Sequence, residues 1–358
     1  MRRLVILLGF VFMVSGSDLS AQWLNYRDPS IPRTVDGKPN LDAPAPQTSE
    51  GNPDLSGSWM LQAHPAYILN IAADLEPSAI SPEADRLFNQ RMGDFGKDDP
   101  STIGCLPYGA RGMVGGRAKI IQSPTLLVIL FEDLTYRQIH LDGRALPADP
   151  SPSFMGYSVG HWDRDTLVVE SNGFNDRPWL DFGGHPHSEQ LKVVERFRRV
   201  SLGNVERELT LVDEKFYRQP ITIKGRMVLA PDSDLLEEVC AESANAKPHL
   251  VGRTAKEKSV SVPPSVLRRY VGTYNLVEAP AGSPGFGITS VTLSLSQGRL
   301  LIDLNGKGKI PMVPLSQTMF SPRLLGTYEF VSVAGGNATH ILAHSAEGTY
   351  RFNRKVEQ

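Results

Sequence analysis

From Ala118 onward the chain is a succession of short runs in which apolar and polar residues alternate. Runs at 118–122, 125–132, 136–141, 156–162, 166–172, 190–199, 205–212, 221–229 and 235–240 read as strands, because side chains along a strand point alternately to its two faces. Turn residues separate them at Ser123-Pro124, Asp142-Gly143, Asp163-Arg164-Asp165, Leu202-Gly203-Asn204 and Pro231-Asp232. Strands joined by such short loops pair antiparallel. Eight or nine in a row predict a mainly β protein whose antiparallel meander closes into a barrel, since closure removes exposed edges. One helix is predicted over 81–91. Ser81 supplies its cap, Pro82 its first position and Glu83 an acid in the first turn, with Gly93 and Gly96 ending it.

The pattern changes on either side of this block. Residues 22–56 have no hydrophobic period, and Pro32 to Leu41 is echoed in type by Pro46 to Leu55. Two copies are too few for a solenoid, so they read as successive turns of an extended arm over the surface of the main domain, 57–245. Residues 246–264 are polar and carry Pro263-Pro264, which marks a linker. A second, smaller β unit occupies 265–358, with strands at 290–296, 300–304, 318–321, 328–333, 340–344 and 349–352.

Composition narrows the setting. Met1-Arg2-Arg3, the apolar stretch from Leu4 to Val14 and Leu19-Ser20-Ala21 before Gln22 form a secretion signal over 1–21. The apolar stretch falls short of the roughly 20 residues a membrane helix needs, so the expected product is a soluble periplasmic or secreted protein without stable membrane insertion; the alternative is an uncleaved anchor. Cys105 and Cys240 are the two cysteines, and in an oxidising compartment they read first as a disulfide, otherwise as separate buried thiols. Net charge is −2 with no basic stripe, which argues against a nucleic-acid partner. Oligomeric state has no signature.

Two stretches resemble known families. Tyr270-Val271-Gly272-Thr273-Tyr274, Gly298-Arg299-Leu300, the step from Leu315 to Phe320 and Arg351 are similar to the small lipocalin-like domains appended to secreted β-lactamase-like and peptidase-like bacterial proteins. The Ser-x-x-Lys domain that often accompanies them is not found. The first unit resembles a large, mostly uncharacterised family of secreted bacterial β proteins. The resemblance rests on Pro53-Asp54-Leu55-Ser56-Gly57, Cys105-Leu106-Pro107, Gly156-Tyr157-Ser158-Val159-Gly160 and Asp165-Thr166-Leu167-Val168-Val169-Glu170. It continues through Gly173-Phe174-Asn175-Asp176, Trp179-Leu180-Asp181 and Pro186-His187-Ser188-Glu189. It implies a shared fold, with a first barrel of lipocalin or calycin kind, and no agreed activity.

Candidate chemistry is concentrated in 173–199. The loop brings together Trp179, Asp181, Phe182, His185, His187 and Glu189, as expected of binding groups at a barrel mouth. In extended geometry His187, Glu189, Leu191, Val193, Glu195 and Phe197 share one face, which puts an acid on an apolar stripe. Burial would raise the Glu195 pKa unless a cation pairs with it; the competing reading is an ion pair with an inward arginine such as Arg137. His187 with Glu195 or Glu189 is thus the candidate acid–base set, and the alternative for His187 is fixing the loop. Tyr136, Arg137 and Tyr157 are candidate substrate contacts. His185, His187 and Glu189 are a possible metal set, against which Pro186 argues by forcing a loop, so no metal or other cofactor is expected. Ser158 fits the Gly-x-Ser-x-Gly string, but no helix is predicted after it.

The resulting expectation is a cofactor-independent lyase, isomerase or hydrolase acting on a small apolar or aromatic molecule inside the first barrel. Trp179 and Phe182 would cover the molecule, and Arg137 or Tyr157 would hold a developing anion. The same pocket could instead carry a lipophilic ligand unchanged. A third reading has the arm serving surface assembly.

Overall fold

The computed structural model describes residues 27–240, 259–280, 287–323, 326–333, 335–345 and 348–355. The expected secretion signal, and most of the expected linker, lie outside them. Among the described residues no helix is long and apolar enough to cross a membrane.

The first unit's strands are β1 (Gly57–Gln62), β2 (Gly116–Gln122), β3 (Leu126–Phe131), β4 (Tyr136–His140), β5 (Tyr157–Asp163), β6 (Thr166–Asn172), β7 (Lys192–Ser201), β8 (Asn204–Val212) and β9 (Ile221–Leu229). They form a closed barrel in chain order, in which β1 pairs antiparallel with both β2 and β9. An odd ring cannot alternate direction all the way round, so one neighbouring pair must run parallel. That pair is β4–β5, with Ile139 opposite Ser158 and His140 opposite Val159. Residues 141–156 give the chain length to cross the barrel end between them. The unbroken antiparallel meander is corrected at this one joint. The expected strand at 235–240 is corrected too: it is irregular chain, held where Glu238 N–H donates to the Glu132 carbonyl at 2.6 Å.

Alternation fills the barrel. Trp59, Ile120, Leu127, Ile139, Leu167 and Val205 are among the inward residues of one apolar cluster. A second cluster, including Ile71, Met113, Leu180 and Tyr217, packs the segments between strands against Leu191, Val193 and Leu209, so these loops plug one end. The predicted helix is α2 (Pro82–Gly93), and the Ser81 side chain accepts from Ala84 N–H at 3.2 Å. Ala84, Phe88 and Met92, spaced four apart, are its buried residues. Short helices α1 (Ala66–Leu69) and α3 (Pro100–Gly104) flank it. Cys105 follows α3 and is bonded to Cys240, so the expected disulfide is present.

The arm's echo is structural. Thr34 N–H donates to Lys38, Gly37 to Thr34 and Asn40 to Pro32; Thr48, Gly51 and Asp54 repeat this with Asn52, Thr48 and Pro46. Each turn places a glycine at φ near +80°, at Gly37 and Gly51. Beyond the turns, Arg33 pairs with Asp232, and Leu202 and Gly203 N–H groups donate to Ala43 and Leu41, which fastens the arm to the barrel rim.

The second unit begins with α4 (Pro264–Leu267) and holds β10 (Gly272–Glu278), β11 (Ser290–Ser296), β12 (Arg299–Leu304), β13 (Lys307–Pro311), β14 (Val313–Pro314), β15 (Met319–Ser321), β16 (Thr327–Ser332), β17 (Ala338–Ser345) and β18 (Gly348–Arg354). The sheet order is β13-β12-β11-β10-β18-β17-β16-β15-β14. Its two edges are neighbours in sequence, separated by Met312 alone, so the sheet curls almost into a second barrel. This unit is not loosely tethered. Ala66, Leu69, Phe88 and Met92 of the first unit belong to the same apolar cluster as Tyr274, Ile302 and Phe330 of the second. Gly308 permits the approach: a Cβ there would lie 2.4 Å from that of Ala66.

Candidate functional site

The strand alternation read from the sequence holds for β7. Val193, Glu195 and Phe197 are buried while Lys192, Arg196 and Arg198 are exposed. It does not extend back to His187 and Glu189, because Leu191 N–H turns back to the Ser188 carbonyl at 3.1 Å. Glu189 is therefore exposed and lies in a surface hollow beside Lys192 and Glu214.

Glu195 meets two cations. Arg137 and Arg207 each donate to its carboxylate, the latter at 2.5 Å. Arg137 is itself fixed by Ser158 at 3.0 Å and Ser171 at 2.8 Å, and Arg207 donates to the Met113 carbonyl. Burial pushes the Glu195 pKa up, but the charges of Arg137 and Arg207 and their hydrogen bonds outweigh this and leave it lowered. Glu195 is thus ionised and paired, which corrects its reading as a buried proton donor. The space beside it is about 10 Å³, room for a single water at most. The hollow expected in the barrel is filled by the two guanidiniums. Ser158 sits within β5 as part of this network, with no helix after it.

The remaining candidates are dispersed. Tyr136 is on the outer surface, and Tyr157 stacks on His140 and accepts from Arg144 at 3.0 Å. Trp179 is buried under Arg91, and Phe182 lies against the Arg111 guanidinium. His187 is buried, its Nδ1 3.3 Å from the Ser188 carbonyl and its Nε2 without a hydrogen-bond partner among the described residues. Burial lowers its pKa, opposed by the carbonyls of Ser188 and Pro178 and the charges of Asp213 and Asp176, so the ring is neutral at neutral pH.

Asp181 and His185 do come together. After Leu180 the chain makes a tight turn through Gly183 and Gly184. A Cβ at Gly183 would lie 2.0 Å from the Leu69 carbonyl oxygen, and Gly184 has φ +104° against the Arg91 side chain. The turn wraps the Asp181 carboxylate, which accepts from Ile71 N–H at 2.7 Å, Gly184 N–H at 2.7 Å and His185 N–H at 3.1 Å. His185 Nδ1 lies 2.5 Å from the same carboxylate. Burial pushes the Asp181 pKa up, yet the His185 ring and the backbone donors outweigh it, and the net shift is downward. An ionised Asp181 can only accept, so Nδ1 carries a proton and the ring is held in one orientation. Phe88 stacks on the imidazole at 3.9 Å, fixing its plane.

His185 lines a cleft of about 700 Å³ where the two units meet. One wall comes from 70–89 of the first unit, including Asn70, Leu75, Ile80 and Phe88. The other comes from β11, β12 and β13 of the second, including Leu295, Leu301 and Lys309. Acids line the first wall at Asp74, Glu76 and Asp85, and bases the second at Arg299 and Lys309. Sequence reasoning missed both walls. The available signal was the single Asn70 inside the apolar run Tyr67-Ile68-Leu69-Asn70-Ile71. Among the described residues no group of three or more His, Cys, Asp or Glu is arranged to hold a metal; His185, His187 and Glu189 do not converge. The chain matches no protein-family model and no curated protein, so its site is defined by its own geometry.

Proposed function

We propose that the protein is an enzyme of non-redox acid–base chemistry, a lyase, isomerase or hydrolase, acting on a small molecule with an apolar body. The observation that carries this reading is the His185 imidazole, held by Asp181 and lining the cleft between the units, rather than the filled barrel interior. His185 Nε2 would take or return a proton on the bound molecule. Asp181 would hold the ring in one tautomer and stabilise it when protonated, the division of labour of other carboxylate–imidazole pairs. The apolar lining at Leu75, Ile80, Phe88, Leu295 and Leu301 favours a partly apolar substrate and equally supports a carrier that releases its ligand unchanged.

Incubating the purified chain with a periplasmic metabolite extract separates these readings. The expected result is loss of one metabolite and gain of another, slowed about 10²–10⁴-fold in His185→Ala. Recovery of an unaltered ligand from the native protein identifies a carrier, and turnover unchanged by His185→Ala rejects the assignment. The proposal also puts the protein in the periplasm or outside the cell, supported by the basic and apolar N-terminal pattern and by the Cys105–Cys240 bond. N-terminal sequencing of exported protein should begin at Gln22; a mature chain retaining Met1 would contradict cleavage.

A further inference from the structure

Asp85 and Asn89 of α2 both line the cleft that His185 lines. Residues four apart on a helix share a face, with Cβ atoms roughly 5–6 Å from each other. Asn89 is already engaged: its side-chain oxygen accepts from the Arg299 guanidinium, which reaches it across the boundary from β12. Arg299 is thereby fixed at the cleft, and Leu301, two positions along the same strand, lines it as well. A guanidinium has further N–H groups in a planar fork that suits a carboxylate. Lys307 and Asp74 close an ion pair across the same boundary at 3.3 Å. Asp85 and Arg299 do not: among the described residues neither makes an ion pair with the other or elsewhere. Two opposite charges therefore stand on facing walls, about one helical turn apart, and leave each other unanswered.

We propose that the cleft takes a zwitterionic α-amino acid with an apolar side chain. Its carboxylate pairs with Arg299, its ammonium pairs with Asp85, and its side chain lies among Leu75, Ile80, Leu295 and Leu301. The two charged groups of an α-amino acid hang on one carbon, so with a hydrogen bond at each end they bridge a gap of that order. A molecule carrying one charge answers only one wall, and an uncharged molecule answers neither. The inference rests on the reading of the cleft as the site and names its ligand class. It concerns recognition and not proton transfer, so it holds for an enzyme and for a carrier alike.

The test titrates the full chain by calorimetry with leucine, N-acetylleucine and leucinamide, all racemic so that either hand is offered. N-acetylleucine lacks the ammonium and leucinamide lacks the carboxylate, while both keep the side chain. Leucine should bind at least about tenfold more tightly than either, the factor set by one charge-assisted hydrogen bond. In Asp85→Asn the advantage over N-acetylleucine should vanish and that over leucinamide remain. Arg299→Met should do the reverse. No binding of leucine to the unaltered chain, or equal affinity for the three probes, overturns the proposal whether or not the variants fold. An advantage that survives in the variant meant to remove it overturns it as well. Failure of the acid–base reading looks different: leucine binds with both preferences, and no metabolite is turned over.

Discussion

Glu195 keeps its charge inside a closed barrel because Arg137 and Arg207 meet it there. Breaking such a buried set by removing one partner is expensive, since the remaining charges lose their compensation. Glu195→Gln should therefore destabilise the fold by about 3–5 kcal/mol, measured by urea unfolding, while the protein that remains folded keeps the turnover proposed for the cleft. A loss of turnover without a loss of stability would return Glu195 to the site. His187 gives a prediction with a definite sign. Its folded pKa is lowered by burial, so below about pH 6.5 the unfolded chain takes up the proton first. Stability should fall as the pH drops below that value and be flat above it, as far as this residue is concerned. In His187→Leu the decline just below pH 6.5 should be shallower; an unaltered profile would mean the ring is not buried neutral. Both residues were visible in the sequence as candidates. The period of two showed that Glu195 faces inward, and Arg137 stood out as an inward cation. The partner of His185 was harder to see: a turn through two glycines, not a strand, brings Asp181 to it.

Helix α2 and strands β2 to β9 follow from local signals, and their positions agree with the sequence reading to within a few residues. Strand β1 does not, because Gly57–Gln62 stands far from any other strand in sequence and pairs with β9 at the opposite end of the unit. No local pattern reports a partner that distant. The opposite error was made at 235–240, where β-forming residues run as irregular chain ending at the Cys240 bond. That bond links chain positions 135 apart, joining the segment after α3 to the end of the barrel unit. In the chain-entropy account such a loop is worth about 4–5 kcal/mol. Replacing Cys105 and Cys240 together by serine should lower the unfolding free energy by that amount under oxidising conditions. The native protein treated with reductant should match the double variant; a difference between them would show that the serines disturb α3 rather than merely opening the loop.

At the scale of the whole molecule the two units share one apolar cluster. Ala66, Leu69, Phe88 and Met92 of the first unit lie in the apolar cluster of the second, whose sheet forms one wall of the cleft. A chain ending at residue 258 would expose these side chains to water. It should lose more than about 3 kcal/mol of stability, bind a hydrophobic dye and show no turnover. An equally stable, dye-silent truncation would mean that the shared core contributes little. The barrel's closure has a further consequence, for the order in which the chain can fold. β1 is the first of the barrel strands to be synthesised, yet its second neighbour ends at Leu229. Until that residue emerges, one side of the nascent sheet is an open template for strands of other chains. Folding of this chain is thus a race between completing the ring and meeting a stranger.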